Sequence, residues 1–188
     1  MATFTLHTEE SAPEGSQPTI KQAKAAFGML PNLMATFAES PATIEGYLTL
    51  MGIFGKSDFS PTEQQVVLMT NNRLNECHYC MAAHTGIAKQ SGVPDDVIEA
   101  LRSGSPIQDA KLDALRVFTE QVFDTRGNVN SEQVDAFIGA GYTKGNVLEV
   151  VLGTALKVIS NYTNHIAETP VDKPFEAFAW SSSEAVSS

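Results

Sequence analysis

Leu148, Val151, Leu152, Ala155, Ile159, Tyr162 and Ile166 recur at helical spacing along the last long segment of this chain. They form one apolar stripe on a helix running from Lys144 to Ala167. The rest of the sequence says what kind of element such a helix packs against. No alternating apolar and polar run is long enough to build a sheet, so the neighbours are helices. The chain is expected to be all-α, a single-domain helical bundle of about seven to nine helices.

The helix starts are written in capping chemistry. Ser60-Pro61-Thr62-Glu63 places a capping serine before a proline at the first helical position and a glutamate at the third. The helix it opens should reach about Leu74. Ser40-Pro41 opens another, to about Gly52. Shorter helices are expected at 20–27 and 32–38, around the turn Gly28-Met29-Leu30-Pro31, and further ones at 94–101, 109–124 and 131–137. A helix that begins near Cys77 should stop at Gly92, with Pro94 just beyond. Residues 1–19 read as a loosely held N-terminal arm, 20–175 as the folded domain, and 176–188 as a C-terminal tail that is serine-rich and mobile from Ser181 to Ser188.

At 188 residues the chain can bury one sizeable core without disulfide staples. Its net charge of −10 argues against nucleic acid and against anionic membrane surfaces as partners. The longest apolar run, near Val147 to Ile159, is broken by Glu149 and Lys157, and no secretory leader is expected. A cytoplasmic location follows as the expectation. In such a reducing compartment a Cys-x-x-Cys pair is more often catalytic or metal-binding than structural.

That pair is Cys77-His78-Tyr79-Cys80, which holds the only 2 cysteines, with His84 four residues further on. Cys77, Cys80, His84 and Ile87 lie on one stripe of the helix, and Ile87 marks the stripe as facing inward. Thiols at this spacing are close enough to join as a disulfide. The helix N-terminus favours the thiolate, and in such settings thiol pKa values fall from about 8.5 to roughly 3.5–7.5. Cys77 is better placed for the dipole, and Cys80 for a base, His84. The residues alone leave open which thiol attacks. His78 falls off the stripe and should point elsewhere.

Leu74-Asn75-Glu76-Cys77-His78-Tyr79-Cys80-Met81-Ala82-Ala83-His84 resembles the core motif of the carboxymuconolactone decarboxylase superfamily, in its alkylhydroperoxidase D-like, peroxidase-related branch. Phe27-Gly28-Met29-Leu30-Pro31-Asn32-Leu33, Gly92-Val93-Pro94, Asn161-Tyr162 and Asn164-His165 are similar to that branch too, so the resemblance covers roughly residues 25–175. It implies an all-helical fold that assembles as a homo-oligomer (dimer, trimer or hexamer). It also implies a small hydroperoxide as substrate, an unidentified dithiol or protein as reductant, and no bound cofactor or metal. By the same resemblance Cys80 is the peroxide-reactive thiol, Cys77 is its proton donor and disulfide partner, and His84 belongs to a proton relay. The relay's glutamate falls at position 65, which here is Gln65. An amide can orient His84 but cannot accept a proton as a carboxylate does. Glu63, two residues away along a helix, should face elsewhere. Glu76, beside Cys77, would raise that thiol's pKa.

Blander and rival readings stand beside this one. Cys77 and Cys80 can be small apolar core residues, or, with His84 and His165, zinc ligands. Asn161 and His165, four apart, either line the pocket or serve a subunit contact. Phe27, Leu30, Met34 and Phe37 read as plain core. For the whole protein, the alternatives to a thiol peroxidase are a non-catalytic redox sensor or oligomeric scaffold, and a decarboxylase of the carboxymuconolactone type.

Overall fold

The computed structural model describes residues 4–182. Among them are nine α-helices: α1 (Gln17–Phe27), α2 (Asn32–Phe37), α3 (Pro41–Phe54), α4 (Pro61–Leu74), α5 (His78–Gln90), α6 (Asp95–Ser103), α7 (Ala110–Asp124), α8 (Ser131–Gly139) and α9 (Lys144–Ala167). No strand occurs among the described residues, and no helix there is long and apolar enough to cross a membrane.

The two caps read from sequence, Ser40 and Ser60, are in place, and two more boxes accompany them. Ser60 accepts the Glu63 N–H while the Glu63 carboxylate accepts the Ser60 N–H. Thr143 and Asn146 close the same box at the head of α9, and Asn130 and Gln133 at the head of α8. The left-handed Gly28 and Gly104 end α1 and α6. Boundaries differ from expectation by a few residues: α1 starts three earlier, at Gln17, and α3 runs on to Phe54.

Helix α4 is the centre of the bundle. It packs against α5, α6, α7 and α9, and buries Val66, Val67, Leu68 and Met69. A close approach brings α9 onto it. A Cβ at Gly153 would lie 2.7 Å from Val67 Cγ1 and 2.8 Å from Phe54 Cε2, so only glycine admits this spacing. At the far end, Phe137 stacks between Phe118 and Tyr142 with ring centroids 4.3 and 4.4 Å away.

Both chain ends are tied to this frame. Instead of a free arm, the segment before α1 forms a 3-10 turn (Glu14–Ser16), with Ala12 and Ser16 buried. Ser16 Oγ donates to the Ala38 carbonyl at 2.6 Å, and the His7 N–H donates to that of Ala35. After α9, residues 169–181 form a strap that sequence patterning did not foresee, with a 3-10 turn at Lys173–Phe178 lying against α5. Arg102 on α6 donates to the Phe178 and Ala179 carbonyls, and Trp180 Nε1 donates back to the Arg102 carbonyl. Asp172 accepts from the Asn32 N–H at the head of α2 and from the Tyr79 hydroxyl of α5. The expected serine-rich tail from residue 183 onward lies outside the described residues.

Candidate functional site

Cys77 is the N-cap of α5. Its sulfur accepts the Cys80 N–H at 3.4 Å, so one thiol caps the helix whose first turn carries the other. Both are free cysteines and both are buried, at 1% and 2% exposure. Helix α9 supplies what surrounds them. The Asn164 amide Nδ2 lies 3.1 Å from Cys80 Sγ and 3.8 Å from Cys77 Sγ, and thus donates chiefly to Cys80. Asn161, beside Cys80 and one turn back on α9, donates from Nδ2 to Asn72 Oδ1 of α4 and accepts from the Asn75 amide.

Lys157 is the residue the sequence reading passed over as a break in an apolar run. It is 1% exposed, points inward from α9, lies within electrostatic reach of Cys80, and donates from Nζ to His84 Nε2 at 3.1 Å. The signal was available: Lys157, Asn161 and Asn164 are four and three apart, a polar stripe on a helix otherwise packed with apolar side chains. Tyr47 of α3 completes the surround. It is buried, bonded to Ser160, and within electrostatic reach of Lys157 and both thiols.

His84 is placed differently from the expectation that it would serve Cys80 directly. Its Nδ1 lies 2.9 Å from Gln65 Oε1, an acceptor, so Nδ1 carries the proton. Nε2 is then the acceptor, and Lys157 occupies it. Burial and the Lys157 charge together hold His84 well below the usual imidazole range, and the ring is neutral.

The two thiols are pushed apart electrostatically. Burial works against a thiolate at Cys80. The Cys77 hydrogen bond, the Lys157 ammonium and the two asparagine amides outweigh it and hold Cys80 at about 6. Cys77 goes the other way. Its hydrogen bond to Cys80, then burial and the charge on Cys80, push it up and keep it protonated. The like-charge effect expected of Glu76 is not what raises it. Lys157 stays charged despite burial because Cys80, Tyr47 and Cys77 face it.

The remaining sequence candidates fall outside this cluster. His165 is exposed and donates from Nε2 to the Asn75 carbonyl at 2.7 Å. His78 bonds the Trp180 carbonyl in the strap. Glu63 faces Lys111 at 3.1 Å, as its phase predicted. Met34 and Phe37 are core, Leu30 packs on its edge, and Phe27 is exposed. Among the described residues no three His, Cys, Asp or Glu side chains are grouped as a metal site, so the zinc set of Cys77, Cys80, His84 and His165 is not assembled.

The fold and this cluster define a class: an all-α protein with a buried dithiol at a helix N-terminus. Residues 40–120, which include the whole motif helix, match the model of the carboxymuconolactone decarboxylase family. That match is a similarity to this family over the motif helix and the helices beside it, and the fold is shared with alkylhydroperoxidase D-like proteins. A peroxidase-related protein with an alkylhydroperoxidase AhpD core from Ralstonia eutropha JMP134 superposes with a TM-score of 0.82 at 18% identity, over 92% of this chain and 93% of that one. A peroxidase-related protein from Silicibacter sp. TM1040 gives 0.78 at 14% identity, over 93% and 92%. The debrominase Bmp8, as a cysteine-to-alanine variant in complex with 2,3,4-tribromopyrrole, gives 0.75 at 15% identity, over 94% and 95%. At these identities the likeness is one of fold. No curated protein matches the sequence.

Proposed function

We propose that this chain is a dithiol oxidoreductase that reduces alkyl hydroperoxides, with Cys80 as the attacking thiolate and Cys77 as the resolving thiol. The observation that carries the reading is the unequal setting of two buried free sulfurs: Cys77 caps the helix and accepts the Cys80 N–H at 3.4 Å, while Cys80 takes the Asn164 amide at 3.1 Å, a setting that favours the thiolate at Cys80. The Cys80 sulfur attacks the terminal oxygen of the hydroperoxide, the O–O bond breaks, and an alcohol leaves. Cys80 becomes a sulfenic acid. The Cys77 sulfur then displaces its hydroxyl as water and forms the disulfide. A dithiol, small or on a protein, returns the pair to the reduced form, as a reducing cytoplasm would allow. The side-chain oxygen Oδ1 of Asn164 supports a hydroperoxide in particular. It is buried beside Cys80 without a hydrogen-bond partner, and a hydroperoxide brings an O–H donor.

The active form is a homo-oligomer in this reading. Leu148 and Ile166 of α9 are each 71% exposed, and Val151, Tyr162 and the neighbouring Ile53 of α3 extend the apolar face. A second copy would cover it.

The test mixes reduced protein with cumene hydroperoxide and with a dialkyl peroxide, which lacks the O–H. Loss of both thiols per chain against one hydroperoxide consumed, little reaction with the dialkyl compound, and none in Cys80→Ser support the proposal. Unchanged consumption in Cys80→Ser overturns it. Tribromopyrrole serves as a third arm, since the debrominase of this fold holds that compound. Thiol oxidation by it alone would redirect the substrate class. A disulfide that forms once and is never re-reduced by any dithiol would mark a redox sensor instead. Decarboxylation of a carboxymuconolactone that survives loss of both thiols would mark the family's other chemistry.

A further inference from the structure

We propose that Lys157, rather than His84, is the charged partner of Cys80: it neutralises the thiolate and hands its proton to the leaving oxygen, while neutral His84 holds it in place. This deepens the peroxidase reading and rests on it for the second role only.

The argument begins with the cost of burying an ammonium. An isolated buried charge is tolerated only when an opposite charge accompanies it. Among the described residues none of the ion pairs includes Lys157. The groups that face it are Cys80, Cys77 and His84 from α5 and Tyr47 from α3, with uncharged Gln65 of α4 behind His84 and uncharged Asn161 and Asn164 on its own helix. Of these, Cys80 is the one that can be an anion near neutral pH. Tyr79 and Asp172 form a separate pair further along α5, at 2.6 Å.

His84 cannot fill the same role. Both ring nitrogens are engaged, Nδ1 as donor to Gln65 and Nε2 as acceptor from Lys157. To take a proton from Cys80 the ring would have to release Lys157 and become a second cation beside it. The glutamine at position 65 and the buried lysine therefore belong together. Without a carboxylate to support an imidazolium, the positive charge sits on the amine.

The proton balance closes within the site. The thiolate attacks the terminal oxygen, the O–O electron pair goes to the alkoxide, and Lys157 Nζ–H protonates it to the alcohol. Cys77 gives up its proton as it displaces hydroxide from the sulfenic acid, and the two leave as water. The products are disulfide, alcohol, water and neutral Lys157. A reducing dithiol then returns two protons, one to Cys77 and one to Lys157, with Cys80 left as thiolate.

The experiment is an ultraviolet thiolate titration of the reduced full-length protein, which requires no peroxide, followed by single-turnover oxidation with cumene hydroperoxide. Lys157→Met should raise the Cys80 midpoint by at least ~1 pH unit and slow oxidation at neutral pH at least ~10-fold. Lys157→Arg keeps the charge but holds its proton. It should keep a low midpoint, yet still slow oxidation ~10-fold or more, and it guards against misfolding of the methionine variant. His84→Ala should move the midpoint less than Lys157→Met does. A midpoint unmoved in Lys157→Met, or moved as far in His84→Ala, overturns the assignment. If the midpoints behave as stated but wild-type protein consumes no hydroperoxide, the counter-ion role stands and the peroxidase reading falls.

Discussion

Gln65→Glu restores a carboxylate opposite His84, and its consequences can be worked from one distance. Oε1 of Gln65 is 2.9 Å from His84 Nδ1. At an effective dielectric of about 20, a unit charge there attracts an imidazolium by ~6 kcal/mol. Position 65 is buried, so desolvating the new carboxylate takes back several kcal/mol. An opposite charge this close moves a pKa by roughly 1–3 units in proteins, so the His84 midpoint should rise by that amount in the variant. The same carboxylate adds a negative charge near Cys80, whose midpoint should climb from about 6. The two signs come from one substitution, and nuclear magnetic resonance of the ring nitrogens reads the first while thiolate absorbance reads the second. In wild-type protein the ring spectrum should be that of a neutral imidazole protonated on Nδ1 across the neutral range. If the variant imidazole stays neutral throughout in folded protein, the hydrogen-bond chain from Gln65 through His84 to Lys157 is wrongly drawn.

In wild-type protein the rate of Cys80 oxidation should rise as pH increases through about 6 and then level off, because the depressed midpoint is that of the attacking thiol; a rise continuing toward pH 9 would contradict it. Tyr79→Phe removes a donor from the buried Asp172 and the acceptor of the Leu33 N–H, and should cost about 3 kcal/mol in urea unfolding. A loss below ~1 kcal/mol would mean that water replaces the hydroxyl at little cost. Leu148→Asp combined with Ile166→Asp should leave a folded monomer by sedimentation; an assembly mass unchanged from wild type would place the contact on another face.

Much of this molecule is legible in its sequence because helix ends are local. Ser40 and Ser60 cap the helices that Pro41 and Pro61 open, and α9 runs from Lys144 to Ala167 as expected, although Leu148, Val151, Tyr162 and Ile166 of its stripe face outward. The motif helix and the inward turn of Cys77 and Cys80 were legible for the same reason. What surrounds the sulfurs was not. Lys157, Asn164 and Tyr47 come from helices far away in sequence, and a lysine inside an apolar run looks like an interruption until packing shows what it faces. The strap was hidden for a related reason. Residues 169–181 have little periodicity of their own, and their shape is imposed by Arg102, His78 and Tyr79.

The link between Asn32 and Asp172 spans 140 positions of the chain. Helix α2 is 6 residues long, too short to persist unaided, and its leading amide waits for a carboxylate made 140 positions later. A nascent polypeptide leaving the ribosome can therefore assemble its middle helices while its first third remains unfinished. That early part is completed only when the segment after α9 emerges and Asp172 reaches α2.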